Sequence, residues 1–116
     1  KQDPHHEYRI EVETSFGNWS VLRRFREFYS LNTSLVTEFP EQIPQELFPY
    51  KKRIIRYFNA DDTFVEQRRT KLEWYLRQLL FQPSLRSSTT LREFFDIETH
   101  ATIRLQKFHQ HWKEFS

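Results

Sequence analysis

Three clusters of cationic side chains, each mixed with aromatics, carry the chemistry that this sequence can offer. Arg23, Arg24 and Phe25 lie in the run WSVLRRFREF, Trp19 to Phe28. Lys51, Lys52, Arg53 and Arg56 stand among Ile54, Ile55, Tyr57 and Phe58 in LFPYKKRIIRYFN, a stretch with no acidic residue. Arg68 and Arg69 open RRTKLEWYL. Such groups hold anions, because a guanidinium is a permanent charge with five donors in a planar fork that matches phosphate or carboxylate. An ion pair with Glu27 or a neighbour is the plainer use of Arg23 and Arg24. Nucleophilic and metal chemistry find few carriers: there is no cysteine, no Gly-rich phosphate loop and no serine in a nucleophile-elbow setting. His5 and His6 sit near the terminus, and His109 and His111, two apart, would point in different directions on a helix. The expectation is a binding module, not an enzyme, with no cofactor and no metal.

The elements that must position these residues follow from periodicity. In EYRIEVET, Tyr8, Ile10, Val12 and Thr14 alternate with polar residues, as in a strand with one buried face. The only glycine, Gly17, falls where a tight turn is needed, and Trp19 to Arg24 reads as the return strand. With a period of two, Trp19, Val21 and Arg23 share one face and Ser20, Leu22 and Arg24 the other, so the two guanidinium groups point apart. A helix follows from Arg26 to about Phe39, with Phe28, Leu31, Leu35 and Phe39 on one face, and Pro40 ends it. Pro40, Pro44 and Pro49 make the next segment an extended crossing loop. A hairpin alone is marginal and needs a third strand or a helical layer, and nothing later in the chain reads as a strand.

In the basic stretch, four cations rule out a buried strand and four large apolar side chains argue against a solvated loop. At an anionic membrane surface both halves are favourable, each cation by about 1 kcal/mol. The alternative is that Ile54, Ile55 and Phe58 pack into the domain with the cations as a fringe. Thr63 and Glu66 are spaced as a capping box for a helix running to about Phe81, whose apolar face is Val65, Leu72, Leu76 and Leu79. Arg68 and Arg69 flank that face, placed to reach into a groove or to snorkel into water. Pro83 to Thr89 reads as a polar loop, and Thr90 with Glu93 as a cap for a short helix. Ala101, Leu105, Phe108, Trp112 and Phe115 then form a heptad-like stripe that could pack on the domain, pair with another helix or lie on a membrane.

Composition bounds the rest. With 116 residues the chain is long enough for one domain with a real core, burying about 65% of its unfolded surface. Twelve Phe, five Tyr and three Trp, with no Met, predict an aromatic core. Residues 1–46 carry five Lys/Arg against eight Asp/Glu and residues 47–116 thirteen against eight, so the basic surface should lie in the second part. No apolar run reaches the roughly 18 residues of a membrane span, and the first residues have no signal-like apolar core, so a soluble chain is expected.

Together, a hairpin ending in RRFREF at 23–28, a proline-rich crossing loop, FPYKK at 48–52 and RRTKLEWYL at 68–76 resemble the phox-homology (PX) domain. The resemblance covers about residues 6–98 and implies an α+β fold, a small antiparallel sheet packed on a three- to four-helix subdomain. Two strands are evident, the family's first strand being truncated or replaced, and residues 99–116 form an extra C-terminal amphipathic helix. It implies a phosphoinositide-reading module, usually for phosphatidylinositol 3-phosphate, cytoplasmic and peripheral on endosomal membranes. By position, Arg24 would grip the 3-phosphate, Phe25 pack on the inositol ring, Lys51 meet the 1-phosphate and Arg68 hydrogen-bond the ring hydroxyls. Lys52 and Arg53 would add contacts, and Ile54, Ile55, Tyr57 and Phe58 would enter the membrane. Phe25 stands where many members have Tyr, and Pro-Tyr-Lys where a proline pair is common. The competing function is a domain of this fold that binds a protein partner or itself through the C-terminal helix. Nucleic acid finds no groove-reading motif.

Overall fold

The computed structural model describes residues 6–44, 46–49 and 61–103. Lys51, Lys52, Arg53, Ile54, Ile55, Tyr57 and Phe58, and the stripe beyond Ile103, lie outside the described residues. Strand β1, Glu7–Thr14, pairs antiparallel with β2, Gly17–Arg24, in a register that sets Tyr8 opposite Arg23, Ile10 opposite Val21 and Val12 opposite Trp19. The predicted alternation holds: Tyr8, Val12 and Val21 are buried, while Arg9, Glu11, Ser20 and Leu22 face out. The turn is tighter than expected, with Ser15 and Phe16 at its tip and Gly17 already in β2. Gly17 has φ +153°, a backbone conformation that side-chain-bearing residues rarely adopt. Thr14 fixes the turn, its hydroxyl donating to the Gly17 carbonyl at 2.7 Å and accepting from the Phe16 N–H at 3.2 Å.

Helix α1, Phe25–Glu38, starts directly from β2, one residue earlier than its periodicity suggests. Glu27 makes this possible. Its carboxylate accepts from the Arg24 backbone N–H at 2.7 Å, so a first-turn acid caps the helix from inside. Phe28, Leu31 and Leu35 are buried as their spacing predicts, and Phe39, whose N–H donates to the Leu35 carbonyl, closes the helix before Pro40. Helix α2, Asp61–Leu80, buries Leu72, Leu76 and Leu79 as expected, and also Arg68 and Tyr75.

Two details of the following segment differ from expectation. Pro83–Arg86, read as loop, forms a short helix α3 with Pro at its first position, where a missing N–H is harmless. Helix α4, Thr89–Phe94, is capped by Ser88 rather than by Thr90, the Ser88 hydroxyl accepting from the Leu91 N–H at 3.3 Å. Thr90 turns outward and donates to Glu38 at 2.6 Å. Asp96, φ +58°, breaks the chain after α4, and residues 97–103 are helical again. A short acidic side chain tolerates that left-handed backbone better than most.

The hairpin and the helices close over one core in which rings and leucines share the work. Tyr8, Phe28, Phe48, Tyr75, Phe94 and Phe95 interleave with leucines of α1, α2, α3 and α4, so the core is less exclusively aromatic than composition suggests. The crossing loop contributes Ile43 and Phe48, and Phe48 meets Tyr75 edge-on at 5.1 Å. Among the described residues β1 has β2 as its only strand partner, and beside its other edge lies a cleft of about 330 Å³ against α2, lined in part by Ile10, Val12, Leu76 and Leu80. The sheet is therefore two-stranded and α+β, as predicted. Its stability comes from the helical layer, since a lone hairpin is marginal.

Candidate functional site

The two arginines that leave β2 part as the strand period requires. Arg23, on the inner face, is spent on structure. Its Nε donates to the Phe94 carbonyl at 3.0 Å, its Nη1 to the Leu22 carbonyl at 2.8 Å, and its Nη2 lies 3.3 Å from Asp96. The guanidinium also sits 5.4 Å from the Phe94 ring centroid. Two residues earlier, Trp19 donates to the Phe95 carbonyl at 2.8 Å and stacks on His100, ring centroids 4.1 Å apart. The hairpin is thus fastened to the end of α4 along its inner face.

Arg24 is half-buried and turned away from this fastening. Among the described residues no carboxylate pairs with its guanidinium. The expected competitor, Glu27, uses its carboxylate on the Arg24 backbone instead. Arg24 is held by its backbone on two sides, strand behind and helix ahead, with φ −85° and ψ 161° at the junction. The backbone that carries the fork is thus ordered before any anion arrives.

The next residue, Phe25, supplies a platform. The Arg68 guanidinium lies over its ring at 3.8 Å from the centroid, and Phe48 stands 5.5 Å away on the same cluster. Helix α2 brings Arg68 there because 68, 72, 75 and 79 form one stripe, on which Leu72, Tyr75 and Leu79 are buried. Arg68 is only 1% exposed, and among the described residues it is the one charged side chain that is buried. Burial pulls its pKa below the usual arginine range, while the nearby Tyr8 acts the other way. Arginine remains charged under all such conditions. Taking a cation out of water costs several kcal/mol, and stacking on a ring offsets up to about 2 kcal/mol. An anion or a polyol placed beside this desolvated fork would interact with it far more strongly than in water.

Arg69, one position on, has the opposite fate. It is exposed and paired with Glu66 at 2.8 Å and Glu73 at 3.3 Å, and Glu73 also pairs with Arg77. Sequence spacing places Arg68 and Arg69 symmetrically on the edges of the apolar face, and the structure separates them. The missed signal is Tyr75, which extends the buried stripe toward Arg68. Tyr75 donates to Asn32 at 2.8 Å across the α1–α2 contact, fixing the two helices that carry Phe25 and Arg68.

Of the predicted site residues, the structure thus brings Arg24, Phe25 and Arg68 to one corner. Lys51, Lys52 and Arg53 lie outside the described residues, as do the four apolar residues after them. Among the described residues no group of His, Cys, Asp and Glu could hold a metal, and no helix is long and apolar enough to cross a membrane.

Comparison with known proteins decides the family. The PX domain pattern matches residues 11–98. The chain belongs to the PX domain family. Membership makes it a module of the phosphoinositide-binding kind, a family whose domains are typically non-catalytic. Structural protein MDM1 of Saccharomyces cerevisiae is 34% identical over 98 residues, 82% of this chain, and kinesin-like protein KIF16B of Mus musculus is 34% identical over 89 residues, 77% of this chain. The chain spans 8% and 6% of these two proteins. An X-ray structure of a designed CISK-PX domain superposes with a TM-score of 0.65 at 32% identity, covering 77% of this chain and 80% of that one. Serine/threonine-protein kinase Sgk3 of Rattus norvegicus is matched over 18% of its length, so its catalytic activity says nothing of this PX domain.

Proposed function

We propose that this PX domain is a membrane-targeting module that reads phosphatidylinositol 3-phosphate, peripheral on endosomal membranes on the cytoplasmic side. Arg24 grips the 3-phosphate, Phe25 packs on the inositol ring and Arg68 hydrogen-bonds the ring hydroxyls. Lys51 meets the 1-phosphate, with Lys52 and Arg53 adding charge, and Ile54, Ile55, Tyr57 and Phe58 enter the headgroup region. The module is taken to end at residue 98, where the family match ends, with 99–116 as an appended helix.

One observation carries the reading. An arginine at the strand–helix junction, without a carboxylate partner among the described residues, stands next to Phe25, whose ring already holds a second, desolvated arginine. Opposed pairs and hydrogen bonds account for Arg23 and Arg69, and among the described residues no carboxylate does the same for Arg24. A phosphate dianion supplies the counter-charge in the planar, two-point geometry that a guanidinium favours. The 3-phosphate preference rests on the resemblance in RRFREF.

The test is sedimentation with vesicles containing phosphatidylinositol 3-phosphate, other phosphoinositides or neither, for the wild type and a folded Arg24→Ala variant. Selective binding by the wild type that Arg24→Ala abolishes supports the site. A folded wild type that ignores every vesicle overturns the lipid reading and turns attention to the C-terminal helix and a protein partner.

A further inference from the structure

Arg24 is the residue at which the chain changes from strand to helix. It closes the ladder opposite Glu7, and Phe25 is already the first residue of α1. The direction of the Arg24 side chain relative to Phe25 is set by two backbone torsions, φ −85° and ψ 161°. Glu27 is exposed, and its carboxylate accepts from the Arg24 backbone N–H at 2.7 Å. That bond closes a ring running from the Arg24 nitrogen through Phe25 and Arg26 to the Glu27 side chain, and both torsions lie inside the ring. Without it the N–H is an orphan at a helix start, left to water, and the junction gains a hinge.

The consequence reaches beyond helix stability. The Arg24 fork and the Phe25 ring, which carries the Arg68 guanidinium at 3.8 Å, belong to adjacent residues on the two sides of this junction. Rotation at Arg24 would swing one against the other while α1, anchored by Phe28, Leu31 and Leu35, stays in the core. We propose that Glu27 is a positioning residue of the anion site: by closing on the Arg24 N–H it locks the angle between the Arg24 side chain and the Phe25–Arg68 platform, so that the two arginines address one ligand. The hydrogen bond that starts α1 thereby also aims the fork. This rests on the reading of Arg24 and Arg68 as headgroup residues.

The experiment is calorimetric titration with soluble inositol 1,3-bisphosphate, sedimentation on phosphatidylinositol 3-phosphate vesicles and thermal melts, for the wild type, Glu27→Ala, Glu27→Gln, Arg24→Lys and the Glu27→Ala/Arg24→Lys double variant. Glu27→Ala should weaken headgroup binding about fivefold, the scale of one lost hydrogen bond. It should also lower the melting temperature by about 5 °C, as loss of a helix cap does. Glu27→Gln, whose amide oxygen accepts the same N–H, should restore the affinity. In the Arg24→Lys background Glu27→Ala should lower the melting temperature by the same amount, because the backbone N–H is unchanged, yet cost no further affinity, because a point charge on a flexible stem gains little from aim. A helix cap with no other role would move the melting temperature and leave the affinity of the folded chain alone. Wild-type affinity in Glu27→Ala, no rescue by Glu27→Gln, or binding losses that simply add overturn the inference while leaving the lipid reading intact. If Glu27→Ala does not fold, Glu27→Asp, one methylene shorter, takes its place, and unchanged affinity there overturns the inference. A folded wild type that binds neither the headgroup nor the vesicles overturns the lipid reading and this inference with it.

Discussion

The chain carries two pairs of adjacent arginines, Arg23–Arg24 where a strand ends and Arg68–Arg69 inside a helix, and in each pair the partners part. Arg23 is consumed by two backbone carbonyls and Asp96, and Arg69 by Glu66 and Glu73. Arg68 lies over the ring of Phe25, the residue that follows Arg24. The geometry that separates them differs. In the strand a period of two sends neighbours to opposite faces, whereas in the helix a 100° step rotates one neighbour out of the core and leaves the other within it. The lesson is that the local element decides which arginine of a pair meets the fold's own acceptors and which faces elsewhere.

Exchanging roles within the first pair gives the largest expected effects. Arg24→Ala removes a two-point charged contact, about 3 kcal/mol, and should weaken binding to phosphatidylinositol 3-phosphate vesicles about 100-fold with little change in melting temperature. Arg23→Ala should do the reverse. Losing its carbonyl bonds and its aspartate contact costs about 2 kcal/mol, a fall in melting temperature of roughly 10 °C, while folded protein keeps its affinity. Thermal melts and vesicle sedimentation on both variants read the two axes separately. Equal binding losses for both variants would break the distinction.

That distinction was half legible from the residues. The faces of β2 followed from alternation, and the resemblance carried by RRFREF implied a role for Arg24 by position. The acceptors of Arg23 were not legible, because the carbonyls of Leu22 and Phe94 have no residue-type signature and Phe94 is 71 positions away. The same holds for Trp19 and the carbonyl of Phe95. Arg68 looked like an edge residue because charge argues against burial. The ring of Phe25, arriving from another element, offsets part of the cost of burying it. The cap of α4 falls on Ser88, directly after the short helix Pro83–Arg86 that the proline-led polar segment did not signal.

The second pair is sharpened by the contact that aligns its helix. Tyr75→Phe removes the donor to Asn32 between α1 and α2, a buried bond whose loss costs about 1 kcal/mol. The melting temperature should fall by about 4–8 °C. Binding should weaken by no more than about threefold, because Arg68 keeps its contact with Phe25. A loss of binding as large as that of Arg24→Ala would mean that helix alignment, not the arginine corner itself, limits affinity.

The smallest effect belongs to Arg69, and its sign can be worked out. The Arg69 hydrogen bond and charge hold the Glu66 carboxyl below the usual carboxylate range, and Glu66 in turn raises Arg69. A group whose pKa is depressed by folding adds stability above its unfolded value and loses it as pH falls through its folded one. Arg69→Ala should therefore lower the melting temperature slightly at neutral pH, by about 2 °C or less since the pair is exposed and salt-screened. The gap between variant and wild type should begin to close as pH falls below the ordinary carboxylate range and vanish once pH has passed the depressed folded value of Glu66, where both chains have protonated it. Melts from neutral to acid pH in low salt check this. Headgroup binding should be unchanged in Arg69→Ala at neutral pH, whereas Arg68→Ala should reduce it, and a matching reduction from both would erase the division of labour between these two neighbours on α2.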